Sequence, residues 1–284
     1  MKHIGRYRLD AVHGVGAFAT VWRGWDEELQ APVAVKVLAD NWSHNPDVRE
    51  RFLEEARTLR RIADPRVVRV HDVGVEDGRP YFVMDFVSGG TVADLIGRLG
   101  VGDALSIAAE SARAVQALHD HDVLHRDIKP ANLLLSDGRV VVSDLGSAKR
   151  LAEATGITVT TGTPAYMAPE QAYGQALDAR SDVYALGVLA YELLTGRTPY
   201  ASPLGRKAGD RPPPTQAGAG VDRVLSTALA AKPGDRPETA GQFAEMLSAA
   251  AAAVDRTLIS TRLVAALALI GFALAAAGSW LLAR

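Results

Sequence analysis

The sequence predicts an α+β fold in two lobes, a small β-rich one followed by a larger helical one, with a single membrane-spanning helix after them. Three observations lead there. The first 90 or so residues break into short alternating runs rich in β-branched and aromatic residues, divided by glycine turns. Beyond Gly90 the apolar residues recur at helical spacing. Strands followed by helices place the two kinds of element in separate layers. Finally, LVAALALIGFALAAAGSWLLA, from Leu263 to Ala283, is bracketed by Arg262 and Arg284 and contains no charge.

The elements follow in order. YRLDAVHG and FATVWRGW flank a glycine-rich turn, and PVAVKVL is a short β-branched run. VVRVHDVGV and RPYFVMDFV pair across Glu76-Asp77-Gly78, a hairpin signal. Between these runs, Pro46 to about Ala63 reads as one helix, with Phe52, Ala56, Leu59 and Ile62 on its apolar side. In the second lobe, Asp103 to His121 is helical, with Leu105, Ala108, Ala112, Val115 and Leu118 on one face. LLLSDGRVVVSD is a hairpin turning at Asp137-Gly138. Ser181 to Thr195 is apolar on nearly all faces but too short to span a bilayer, so it is a buried core helix. Helices at about 222–231 and 241–254 close the two-lobed part.

The span from 263 to 283 would be roughly 31 Å of helix at 1.5 Å per residue, close to the hydrocarbon thickness of a bilayer. A buried core helix is the alternative, but apolar and small residues cover every face and a small domain cannot readily bury all of them. The opening MKHIGRYRLD has no apolar core of the kind a signal peptide needs. Arg256 and Arg262 on the near side agree with the positive-inside tendency, and Trp280 lies where an interfacial anchor belongs. Only Arg284 lies beyond the span, so no extracellular sensor is expected. Gly271, Ala275 and Ser279 form a small-residue ladder that could pair two helices into a homodimer, although alanine-rich spans produce such ladders by chance.

Composition excludes several classes. The chain has 284 residues, 48% hydrophobic and 23% charged, an ordinary globular balance with enough length for about two domains. Lysine plus arginine number 31 against 33 aspartate plus glutamate, a net charge of −2. No nucleic-acid partner is expected from that balance. The absence of cysteine removes disulfides, thiol nucleophiles and cysteine-held metal centres.

Five motifs carry chemistry. Gly14-Val15-Gly16-Ala17-Phe18-Ala19-Thr20-Val21 joins the first two strands. Glycines there let backbone approach phosphate oxygens, though a simple hairpin turn explains them as well. Val33-Ala34-Val35-Lys36 ends a hydrophobic strand on a lysine that alone could be a solvated strand end. A lysine in such a strand needs a partner, and Glu54 and Glu55 are both candidates. His125-Arg126-Asp127-Ile128-Lys129-Pro130-Ala131-Asn132 is followed by Asp144-Leu145-Gly146, and then by Gly162-Thr163-Pro164-Ala165-Tyr166-Met167-Ala168-Pro169-Glu170.

In this order the motifs resemble those of the eukaryotic-like Ser/Thr protein kinases, including the membrane-anchored bacterial kind, over about 7–254. The resemblance implies an α+β bilobal protein-kinase fold, with an N-lobe of about 7–87, a C-lobe of about 88–254, a juxtamembrane segment at 255–262 and the transmembrane helix at 263–283. It implies ATP-dependent phosphorylation of Ser/Thr hydroxyls on proteins, with Mg²⁺ or Mn²⁺, in membrane-associated signalling. ATP being cytoplasmic, the kinase lobes would face the cytoplasm. Lys36 would reach the α- and β-phosphates, with Glu55 as its partner. Asp127 would take the proton of the substrate hydroxyl and Lys129 steady the transferring phosphate. Asn132 and Asp144 would hold the metal. Gly14, Gly16 and Ala19 would cover the phosphates. Val21, Ala34 and Leu134 would enclose the adenine, with Met84 behind it and 85–87 as the hinge. Lys129 and Thr163 match the Ser/Thr pattern of the family and not the tyrosine one.

The family pattern also implies control. Arg126 would pair with a phosphate on the segment 147–162, at Thr160 or Thr161, with Thr158 next and Thr155 also available. Glu170 would pair with Arg236, Asp182 would anchor the catalytic loop, and Thr163 would be structural. Four departures stand out: Ala19 replaces a glycine, Leu145 a phenylalanine, and His13 an aliphatic residue. The fourth is the stretch from Tyr200 to Arg211, about half the usual length, where a substrate-docking helix is expected to be short or missing. That shortening is the support for a rival function, a pseudokinase scaffold that binds partners without phosphoryl transfer. His13 reads as a partly exposed strand-end residue, and His119 and His121 as surface residues.

Overall fold

The computed structural model describes residues 2–145, 164–202, 204, 209–254 and 256. An antiparallel sheet of six strands forms the first lobe: β1 (Lys2–Ile4), β2 (Tyr7–Val15), β3 (Ala19–Asp26), β4 (Ala31–Leu38), β5 (Val70–Glu76) and β6 (Arg79–Asp85). The spatial order is β1-β2-β3-β4-β6-β5. β1 adds a short edge strand that the sequence pattern did not indicate, held by the buried Ile4.

Alternation along β4 decides what each face meets. Val33, Val35 and Val37 pack with Ile4, Tyr7, Tyr81 and Val83 in a small satellite core. Ala34 and Leu38 face the other way, into the main core with Phe52, Phe82 and Met84. Lys36 lies between those two in the alternation and so emerges on the interior side. Asp77-Gly78 and Asp137-Gly138 turn their hairpins with positive φ at both residues, 48° and 76° in the first, 47° and 76° in the second. This twist matches that of the flanking strands.

Helix α1 (Pro46–Arg61) starts from Asn45, whose side chain accepts the Val48 N–H, with proline in the first turn. It ends two residues before the expected Ala63, with Ile62 already extended ahead of Asp64-Pro65. Val48, Phe52, Glu55, Ala56 and Leu59 are its buried residues. Spacings of three and four place Glu55 in the apolar stripe, while Glu54 faces solvent.

The second lobe is built on α2 (Val101–His119), the hairpin β7 (Leu133–Ser136) and β8 (Arg139–Val142), α3 (Pro169–Ala172), α4 (Ala179–Thr195), α5 (Ala219–Ala228) and a helix at 240–254, α6. Every residue from Ser181 to Tyr191 is buried, so α4 is the hub against which α2 and α5 pack. It begins on the Asp178 side chain and ends at Gly196, whose φ of 74° suits glycine. α5 lies three residues earlier than expected. Its first-turn Asp222 holds Thr215 through both N–H and hydroxyl, and the helix closes before Lys232-Pro233. Among the described residues between Gly196 and Gly218 there is no helix. No helix among the described residues is long and apolar enough to cross a membrane, and the apolar stretch 263–283 lies outside them.

Candidate active site

The site forms where the sheet, α1 and the loops flanking β7 and β8 converge. Lys36 Nζ donates to Glu55 Oε1 at 3.0 Å and to Asp144 Oδ1 at 2.6 Å. The Lys36 and Glu55 side chains are 12% and 1% exposed. Of the two candidate glutamates it is therefore Glu55 that meets the lysine. Burial pulls the Lys36 ammonium downward in pKa, but Asp144 and then Glu55 outweigh it and the net shift is upward. Asp144 is the mirror case. Burial pushes its carboxyl up, while Lys36 holds it below the usual carboxylate range. The pair is charged at neutral pH.

The loop at 125–132 is a hydrogen-bonded unit. Lys129 Nζ donates to Asp127 Oδ2 at 3.0 Å. Asn132 Nδ2 donates to the Asp127 carbonyl at 2.9 Å and lies 3.3 Å from its Oδ2. His125 is wholly buried, with Nδ1 accepting the Asp127 N–H and Nε2 against the Ser143 carbonyl, which fixes Nε2 as the protonated nitrogen. Ser143 N–H in turn donates to the Asn132 carbonyl at 3.0 Å. This ties the loop to the residue preceding Asp144.

Two non-glycine residues in this region have left-handed backbone, Arg126 at φ 66° and Asp144 at φ 54°. Each costs on the order of 1–2 kcal/mol and persists only if its surroundings impose it. For Arg126 the constraint is Asp182, whose carboxylate accepts the N–H of His125 at 2.8 Å and of Arg126 at 2.9 Å. Gln171 on α3 donates to the Arg126 carbonyl at 2.9 Å. Burial raises the Asp182 carboxyl, and His119 and the backbone donors reverse the effect, so it sits below its ordinary value.

His119 corrects the sequence reading. It is not a surface residue: its side chain is 6% exposed and Nε2 donates to Asp182 Oδ2 at 2.9 Å. It falls on the inner side of α2 one helical turn after Val115, a position that helical periodicity could have indicated. His121 is exposed, and its ring bonds its own helix end at the Ala117 carbonyl. His13 is exposed on β2, with its ring edge-on to Phe86 at 5.7 Å.

The remaining residues read as nucleotide-binding take these places. Gly14 pairs with Val21 across the β2–β3 turn, and a methyl at Gly14 would meet nothing within 4 Å. Gly16 N–H donates to the Ala19 carbonyl at 2.8 Å, closing the loop. Ala19 is buried in the main core, so the methyl that replaces a glycine hydrogen points away from the loop's open side. Ala34 and Met84 are paired neighbours on β4 and β6, both buried. Leu134 on β7 bridges to Thr91 and is half-buried, as is Val21. Thr155, Thr158, Thr160, Thr161 and Thr163 lie outside the described residues.

Asn132 and Asp144 fit a magnesium ion on their chemistry. Asn132 spends its amide N–H₂ on Asp127 and keeps its carbonyl oxygen as an acceptor, beside a carboxylate held ionised. Two hard oxygens leave room for the waters and phosphate oxygens that magnesium keeps in its octahedron. Among the described residues no cluster of three or more His, Cys, Asp or Glu offers a competing metal site.

The scaffold beneath the site contains one fully satisfied buried ion pair. Arg236 donates to both Glu170 oxygens, at 2.7 and 2.8 Å, and to the carbonyls of Ala230, Arg180 and Ala231. Every guanidinium N–H thus has an acceptor. Ser181 supplies a further bond to Glu170 at 2.7 Å.

The protein kinase domain family matches residues 7–222. The chain is 38% identical to the serine/threonine-protein kinase PknJ of Mycobacterium tuberculosis, over 86% of this chain and 45% of that protein. It is 36% identical to PknA of the same species, over 86% of this chain and 61% of that one. It thus spans about half the length of the curated relatives it matches. The crystal structure of the M. tuberculosis PknI kinase domain superposes with a TM-score of 0.69 at 30% identity, covering 88% of this chain and 98% of that one. With the lysine–glutamate pair, the Asp127 loop and Asp144 assembled as described, the chain belongs to the protein kinase domain family.

Proposed function

We propose that the chain transfers the γ-phosphoryl group of ATP to serine and threonine hydroxyls of proteins, its own segment 147–162 among them. The observation that carries this reading is the pair of hydrogen-bonded clusters, Asp127 with Lys129 and Asn132 and Lys36 with Glu55 and Asp144, tied together by the Ser143 N–H donating to the Asn132 carbonyl. Phosphoryl transfer needs little covalent help from a protein; it needs positioning and neutralisation of spread-out charge. Lys36 holds the α- and β-phosphates, kept in place by Glu55. Asn132 and Asp144 would hold Mg²⁺ or Mn²⁺, which would supply positive charge at the phosphates when bound. Asp127 accepts the proton of the attacking hydroxyl as the new O–P bond forms and the bond to ADP breaks. Lys129 neutralises charge on the transferring group.

Gly14, Gly16 and Ala19 cover the phosphates in this reading, and Val21, Ala34, Met84 and Leu134 the adenine. Phosphate on Thr160, Thr161 or Thr158 would order its segment through Arg126. Residues 263–283 anchor the chain in a membrane with the two lobes on the ATP side, and homodimerisation through Gly271, Ala275 and Ser279 would favour phosphorylation in trans. The test is incubation of the purified full chain with labelled ATP and Mg²⁺, followed by phosphoamino-acid analysis and phosphopeptide mapping. Label on threonine within 147–162 is the expected result. Label on tyrosine alone, or none under any metal and nucleotide condition, overturns it, the latter in favour of a non-catalytic scaffold.

A further inference from the structure

The glycine-rich turn between β2 and β3 is exposed from Val15 to Ala17 and turns inward at Phe18. Val15 is 78% exposed, whereas Phe18, at the tip, is 5% exposed. Its ring leaves the turn and lies against the indole of Trp42, with centroids 5.0 Å apart and planes at 34°. Two hydrogen bonds reinforce the contact. Trp42 Nε1 donates to the Ala17 carbonyl at 3.1 Å, and Ala39 N–H donates to the Phe18 carbonyl at 2.8 Å. Trp42 ends a short 3₁₀ turn (Asp40–Trp42), three residues before the Asn45 cap of the helix that carries Glu55.

A turn built on Gly14 and Gly16 has wide conformational freedom, and phosphate binding requires that freedom to be lost. Whatever restrains the tip beforehand lowers the cost of binding. We propose that Trp42 is a positioning residue that pins the tip of this turn through Phe18 and Ala17, preorganising it over the phosphates of the nucleotide. The same short segment leads into α1, so the phosphate cover and the partner of Lys36 share one support. The inference rests on the ATP-binding reading of the site and extends it to a residue outside the set assigned to the nucleotide.

The test compares ATP with adenosine, which shares the base and sugar but lacks phosphates. In the full chain, Trp42→Ala should raise KM for ATP about tenfold, the scale of one aromatic contact plus one neutral hydrogen bond. Its Ki for adenosine as a competitive inhibitor should stay within about twofold, since the pinned tip bears on phosphates only. Trp42→Phe, which keeps the ring contact, should recover most of the loss. Phe18→Ala combined with Trp42→Ala should be little worse than either alone, as expected of two groups in one contact. Trp42→Leu carries the same expectation if the alanine variant does not fold. An unchanged KM for ATP in a folded variant, equal weakening of ATP and adenosine, or additive losses would each overturn the proposal. A wild-type chain that binds neither ATP nor adenosine removes the nucleotide reading, and this inference with it.

Discussion

Lys36 and Glu55 meet at 3.0 Å because two periodicities coincide: the strand's alternation turns the lysine inward, and the helix's spacing puts the glutamate in an apolar stripe. Glu55, 1% exposed, is stabilised as a buried charge by Lys36, which Asp144 also holds. Replacing Glu55 by alanine leaves Lys36 drawn to Asp144 alone. A displacement of about 1 Å at the phosphates is expected to lower kcat/KM about 100-fold. Glu54→Ala, at the exposed neighbouring position, should leave it within about twofold, in line with ordinary surface substitutions. Steady-state kinetics on one peptide substrate separates the two.

The Glu170–Arg236 pair supports the lobe and takes no part in the chemistry. With side chains 3% and 0% exposed, removal of one partner strands a buried charge. Arg236→Ala should cost about 3–5 kcal/mol of stability, and Arg236→Lys most of that, because an ammonium cannot reproduce five donors in one plane. Urea denaturation midpoints at neutral pH measure both.

Acid stability follows from the depressed carboxyls of Asp182, Asp144 and Glu170. In each, burial raises the pKa and bonded partners lower it further, so the folded value lies below the unfolded one. The stabilisation is complete above the unfolded value and is lost as pH falls through the folded one. Stability should therefore drop over the acid interval below about pH 5. In Asp182→Asn the curve should be shallower over that interval. An identical slope in the variant would show that Asp182 is not one of the groups responsible.

Much of the fold was legible because its signals are local. Alternation and turn pairs such as Asp137-Gly138 marked the hairpins, and the buried run from Ser181 to Tyr191 announced α4 by composition alone. Motif order brought Asp127, Asn132 and Asp144 into one reading. What escaped depends on contacts between distant segments. The spacing after Val115 could have put His119 on the inner face, but its partner Asp182, 63 positions away, is supplied only by the fold. Phe18 and Trp42 are ordinary aromatics in sequence, and only the fold stacks them. β1 is too short for its alternation to register, and it pairs because β2 presents an edge.

The apolar segment 263–283 yields its own prediction. The chain ended at Arg256 should stay in the supernatant when sedimented with lipid vesicles, while the full chain pellets with them. Both should have the same kcat on a soluble peptide. Vesicle binding by the shortened chain would place the membrane contact elsewhere.

Phosphoryl transfer, beyond nucleotide binding, is what the Asp127 loop and the Lys36 cluster are proposed to perform together. Asp127→Asn tests it most directly, because the change is isosteric and leaves Lys36, Asn132 and Asp144 in place. ATP affinity, measured by calorimetry with Mg²⁺, should stay within about threefold, while the transfer rate falls by about 100- to 10,000-fold, the range general-base loss commands. A wild-type chain that binds ATP but transfers nothing, or a variant that transfers at the wild-type rate, would contradict the account.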